Sequence, residues 1–148
     1  MSTAIHRMVE DCRKGRCDRL IARLPSGWAL MGASQFLSGY SLLLPDPVVP
    51  HLNAMTLDAR NVFLADMASL GGAVLRATGA LRINYAMFGN LEPALHVHVI
   101  PRFVDEADAL RTAHPWAYDW NAAPQFQLSV HGELLGRIRD LVSTRSDD

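Results

Sequence analysis

The run Leu95-His96-Val97-His98-Val99-Ile100-Pro101-Arg102 constrains the fold of this chain more than any other segment. Aliphatic and β-branched residues alternating with histidine predict a strand, and successive side chains on a strand point to opposite faces. Leu95, Val97 and Val99 then turn toward a core, while His96 and His98 point together the other way. A sheet with one apolar face needs that face covered. The two outward imidazoles offer a place for an anionic ligand, or else they are two histidines on the solvent side of an amphipathic strand.

The rest of the chain supplies partners for that strand. Ile5, Met8, Val9 and Cys12 fall at helical spacing ahead of Gly15 and predict a short helix over 4–14. Residues 20–24 and 28–31 read as two strands around the turn Pro25-Ser26-Gly27. A third strand, 39–44, ends at Pro45-Asp46-Pro47, because proline removes a ladder donor. The longest helix is predicted over 56–78, with Thr56 as N-cap, Asp58 in the first turn and Gly79 just past the end. Phe63, Met67, Leu70 and Val74 form its inner stripe, joined by Leu64 and Leu75. Gly71-Gly72 inside it costs roughly 1 kcal/mol per glycine relative to alanine, which close packing on the sheet would explain. Strands over 81–88 and 95–100 follow, joined by the loop 89–94. A last helix, about 127–142, carries Leu134, Leu135, Ile138, Leu141 and Val142 on one face, and 143–148 is polar and expected to fray.

That order predicts an α+β fold with a five-stranded antiparallel sheet, one long helix and terminal helices, in a single domain over 1–148. A chain of 148 residues buries a core without disulfides or metal. Cys12 and Cys17 are not spaced as a zinc knuckle. A zinc site would need His51 and a strand histidine to complete it, so reduced thiols and no metal are the expectation. A net charge of −1 gives no support to broad binding of nucleic acid or an anionic membrane. No apolar run approaches the roughly 18–20 residues of a membrane span, and residues 1–7 lack the order of a signal peptide. A cytoplasmic location is therefore expected.

The stretch Arg82-Ile83-Asn84-Tyr85-Ala86-Met87-Phe88-Gly89-Asn90, the turn Leu91-Glu92-Pro93 and the histidine strand together resemble the histidine triad (HIT) family of nucleotide-binding proteins. The family signature is His-φ-His-φ-His-φ-φ, with φ apolar. It often continues into Pro-Arg and often follows an Asn-x-x-x-x-Gly-Asn stretch. Residues 82–103 carry the match, and a weaker likeness runs from about Trp28 to Phe103. His96 and His98 fall on the second and third triad histidines, and Ala94 stands in the place of the first. The resemblance implies a HIT-like fold of the dinucleoside polyphosphate hydrolase-like branch, no cofactor, and two subunits joined in one continuous dimeric sheet.

It also implies a chemistry. Imidazole is mostly neutral near pH 7 and can attack phosphorus without a strong base, splitting one hard displacement into two. The middle histidine, His96, would attack the α-phosphate of a dinucleoside polyphosphate or nucleoside phosphoramidate, giving a nucleotidyl-histidine. A backbone carbonyl is expected to hold its far nitrogen, and His98 to donate to the phosphate or leaving group. Asn84 and Asn90 match phosphate-contacting positions, where neutral amides stabilise developing charge. Asn84 sits in a predicted strand, where asparagine is disfavoured, whereas Gly89-Asn90 is also a turn dipeptide. Arg102 is read as forming a surface ion pair, His51 as lying outside the site, and the 115–120 aromatic cluster as covering a sheet edge rather than walling a base pocket. With Ala94 in place of a supporting histidine, slow turnover is expected. The alternatives are a nucleotide-binding protein without catalysis and a metal module built on His96 and His98.

Overall fold

The computed structural model describes residues 2–143. Strands β1 (Leu20–Leu24), β2 (Gly27–Met31), β3 (Ser41–Pro45), β4 (Arg82–Ala86) and β5 (Val97–Arg102) form one antiparallel sheet in the order β1-β2-β3-β5-β4. Around it lie α1 (Ala4–Arg13), α2 (Leu57–Thr78), the single turn α3 (Asp108–Arg111) and α4 (Leu128–Ser143). This is the α+β architecture that the order of patterns predicts. The histidine strand β5 sits between β3 and β4, with Leu42 and Ala86 directly opposite His98. Its ladder begins at Val97 rather than Leu95, because the Leu95 N–H bonds instead to the Val49 carbonyl at 2.8 Å.

Both faces of the sheet are covered. On one, Val97 and Val99 join Met31, Leu43, Phe63 and Val74 under α2 and α4. On the other, Leu30, Leu42, Leu44 and Ile100 pack with Ile5 and Val9 of α1 and with Tyr40, and Tyr118 and Trp120 close over them. The expectation that the histidine face looks outward is corrected here. The strands are apolar on both sides, as in β3, where all five residues are buried, so helices on one face alone cannot shield them.

Local chemistry sets the helices as predicted. The Thr56 side chain caps α2 by accepting from the Ala59 N–H at 3.2 Å, and Gly79 ends the helix with φ 69°. A methyl on Gly71 would overlap the Tyr85 hydroxyl of β4, whereas one on Gly72 meets nothing within 4 Å, so close packing explains the first glycine only. Leu64 and Leu75 are half-buried. Asp66, which no apolar stripe anticipates, is buried and accepts from the Ser26 N–H at 2.8 Å. Ser143 is the last residue of α4, and the remainder of the predicted polar tail, 144–148, lies outside the described residues. No helix among the described residues is long and apolar enough to cross a membrane.

Candidate active site

His96, just ahead of β5, and His98 within it turn to the same face, their ring centroids 5.0 Å apart and nearly perpendicular. His96 is 8% exposed. Its Nδ1 lies 2.7 Å from the carbonyl oxygen of Ala94, two residues earlier. A carbonyl only accepts, so Nδ1 carries the hydrogen, and in the neutral ring Nε2 presents a lone pair. The backbone carbonyl expected behind His96 is therefore present. Ala94 itself is buried among the apolar residues under α1, and Glu92 of the same loop accepts from the Ile5 N–H at the start of that helix. Around His96, the residues His51, Asn53, Met87, Phe88 and Ala94 line a cavity of about 300 Å³. His51 thus belongs to the lining, contrary to the sequence reading. The 3₁₀ turn Leu52–Ala54 follows it, and Leu52 and Met55 pack against the core under α2 and α4.

His98 is enclosed by rings. Trp116 lies edge-on at 5.0 Å, Trp120 edge-on at 6.1 Å and Tyr40 nearly parallel at 5.9 Å, with the Tyr40 hydroxyl 2.7 Å from His98 Nδ1. Burial, with the neighbouring His96 adding to it, pushes the His98 pKa down to about 4, so its ring is neutral at pH 7. The 115–120 cluster, expected to cover an edge, instead walls this histidine. The wall is fastened to residues 33–35: the Phe126 N–H donates to the Ala33 carbonyl at 2.7 Å, the Gln35 N–H to the Pro124 carbonyl at 2.8 Å, and the Ser34 hydroxyl to the Trp120 carbonyl at 2.9 Å. Tyr40 is missing from the sequence-predicted site, because in sequence it reads simply as the apolar start of a strand.

Arg102 overturns its surface reading. It and Glu106 form an ion pair at 3.0 Å, with side chains 7% and 3% exposed. The guanidinium also donates to Asn84 Oδ1 at 2.9 Å and to the carbonyls of Ala113 at 2.9 Å and Leu110 at 2.7 Å, holding the segment that carries Trp116. Burial alone would raise the Glu106 pKa, but bonds from Arg102, Tyr118 and the Phe103 N–H hold it below the usual carboxylate range. Asn84 therefore has its oxygen on Arg102. It borders a larger groove of about 970 Å³ beyond Phe88 rather than the cavity of His96. Asn90 is exposed on the loop, and its neighbour Gly89, with φ 81°, lines the His96 cavity. Among the described residues, no group of three or more His, Cys, Asp or Glu side chains is placed to hold a metal ion.

No family model and no curated protein matches this chain in sequence. Its fold does match solved structures. A histidine triad protein from Marinobacter aquaeolei VT8 superposes with a TM-score of 0.75 at 13% identity, over 97% of this chain and 98% of that one. A histidine triad (HIT) protein from Sinorhizobium meliloti 1021 gives 0.72 at 23% identity, over 88% and 93%. One from Bradyrhizobium japonicum gives 0.73 at 20% identity, over 84% and 92%. The chain has the fold of these proteins.

Proposed function

We propose that this chain is a histidine triad protein that binds nucleotides and transfers a nucleotidyl group through His96. The observation that carries this reading is the 2.7 Å contact between His96 Nδ1 and the Ala94 carbonyl, which leaves the Nε2 lone pair free beside a cavity. In the first step Nε2 forms a bond to the α-phosphorus of a dinucleoside polyphosphate or nucleoside phosphoramidate. The bond from phosphorus to the leaving group breaks, and its electron pair departs with that group. The carbonyl stabilises the imidazolium character that develops on His96. Water then attacks phosphorus and releases a proton to solvent while the P–N bond returns its pair to Nε2, and a nucleoside monophosphate leaves.

His98 donates to the reacting phosphate or leaving group, His51 and Asn53 contribute polar contacts in the cavity, and Asn84 and Asn90 are assigned to phosphate as the resemblance suggests. Because Asn84 already serves Arg102, only its amide hydrogens remain for a ligand. The support that a first histidine would give falls to the backbone of Ala94, and turnover is slow. Two copies join through a continuous sheet, a reading favoured by β4 standing at the sheet edge with Leu81 and Tyr85 exposed beside it. The second reading, a nucleotide-binding protein without turnover, draws on the buried Ala94 in place of a triad histidine.

The test compares the parent protein with His96→Ala, using diadenosine tetraphosphate and adenosine phosphoramidate as substrates and calorimetry for binding. The enzyme reading expects nucleoside monophosphate from the parent alone, with nucleotide affinity changed only a few-fold in the variant. Binding without product from the parent establishes the second reading instead.

A further inference from the structure

We propose that Tyr40 is a positioning residue that fixes His98 in the tautomer with hydrogen on Nε2, making it a neutral donor to the reacting phosphate rather than a proton source. The inference rests on the proposed nucleotidyl chemistry only for its catalytic consequence. Its structural half stands on the contacts of Tyr40 itself.

The Tyr40 ring has little freedom. It is 4% exposed, lies edge-on to Phe36 at 5.3 Å and to Trp120 at 5.1 Å, and passes so close to Gly32 that a methyl there would overlap it. Its backbone is held as well. The Tyr40 carbonyl accepts from the Gly32 N–H at 2.8 Å and from Gln35 Nε2 at 2.9 Å. The hydroxyl therefore stays where the ring places it, 2.7 Å from His98 Nδ1.

Which group donates follows from what surrounds the pair. A neutral imidazole carries one hydrogen. If His98 kept it on Nδ1, the buried phenol hydrogen would lose the acceptor that the hydroxyl has in this structure, His98 Nδ1. With the phenol donating to Nδ1, both buried groups are satisfied, and the hydrogen of His98 lies on Nε2. Burial raises the Tyr40 pKa and lowers that of His98, so neither charged form competes with this neutral arrangement. The two neighbouring histidines thus hold opposite tautomers. His96 is left with a lone pair on Nε2 because a carbonyl stands behind it, and His98 is left with an N–H on Nε2 because a hydroxyl stands behind it.

A neutral imidazole that gave up Nε2–H would become an imidazolate, and the phenol behind it resists ionisation in the same burial. His98 therefore hydrogen-bonds to a phosphoryl or departing oxygen without transferring its proton. The leaving group departs with its own electron pair and takes any proton from water. Acidic leaving groups such as a phosphate chain are served well, and amines poorly.

The experiment is ¹⁵N NMR of histidine-labelled parent and Tyr40→Phe proteins, with His98→Gln to assign the ring and thermal unfolding to confirm that the variants are folded. In the parent, Nδ1 of His98 is expected at the chemical shift of an unprotonated ring nitrogen and Nε2 at that of a protonated one. Tyr40→Phe is expected to give a mixture of tautomers. A second arm measures turnover: kcat falls roughly tenfold to a hundredfold in Tyr40→Phe with little change in KM, and the loss grows as the leaving group becomes more basic. A parent with Nδ1 protonated, or a tautomer untouched by Tyr40→Phe, overturns the proposal. The expected shifts in a protein with no nucleotide turnover would uphold the role of Tyr40 and refute the proposed function.

Discussion

His96 and His98 are the same residue type two positions apart on one face, yet their surroundings give them different chemistry. A backbone carbonyl behind His96 and burial among aromatic rings around His98 account for the difference. For His98 this has a consequence for stability. Its folded pKa, about 4, lies below the ordinary value of about 6.5. Between these values the unfolded chain binds a proton that the folded chain refuses, so stability falls as pH drops through that window. Urea unfolding at pH 7, 5.5 and 4 should show the advantage of the parent over His98→Gln shrinking as pH falls. An advantage constant across the three pH values would contradict the assignment. Sequence alone shows that the two histidines share a face. It does not show Tyr40 behind one of them, because that contact joins residues 58 positions apart and leaves no local pattern.

At the scale of elements, legibility follows how local the determining interactions are. The ends of α2 are readable because Thr56 and Gly79 act on backbone groups within one turn of themselves. The segment from Phe103 to Phe126 is not. It has little periodic structure and is held by one buried guanidinium, a carboxylate, and backbone contacts to residues 33–35. An arginine after Pro101 gives no sign in sequence that it is buried, and so Arg102 reads as a surface residue. The glycine pair of α2 separates two effects that look identical in sequence. Gly72→Ala should stabilise by up to about 1 kcal/mol, because it restores helix propensity in open space. Gly71→Ala should instead lose about 1–3 kcal/mol by displacing the Tyr85 ring. Adding Tyr85→Ala should relieve much of that loss, since residues in contact do not act additively. Denaturant unfolding of the four proteins checks this. Equal effects at the two glycines would mean that α2 does not pack on β4 as described.

At the scale of the whole molecule, the sheet is a partition. One face is an apolar core under α2 and α4, and the other, covered by α1 and the aromatic wall, carries the histidines, with His51 lining the cavity beside His96. The α+β order was readable from periodicity. The double cover was not, because α1 and the 115–126 segment reach the histidine face only through long-range contacts. This arrangement sets the His96 imidazole beside a cavity with Nδ1 engaged by the Ala94 carbonyl, and the proposed nucleotidyl transfer requires its Nε2 to bond to phosphorus. The direct measurement is rapid acid-free quenching of the protein with diadenosine tetraphosphate, followed by peptide mass spectrometry. An adenylyl group on the peptide spanning residues 95–102, localised by fragmentation to His96 and absent in His96→Ala, is the predicted result. Steady release of nucleoside monophosphate without any adduct, or an adduct on His98 or His51, would contradict it.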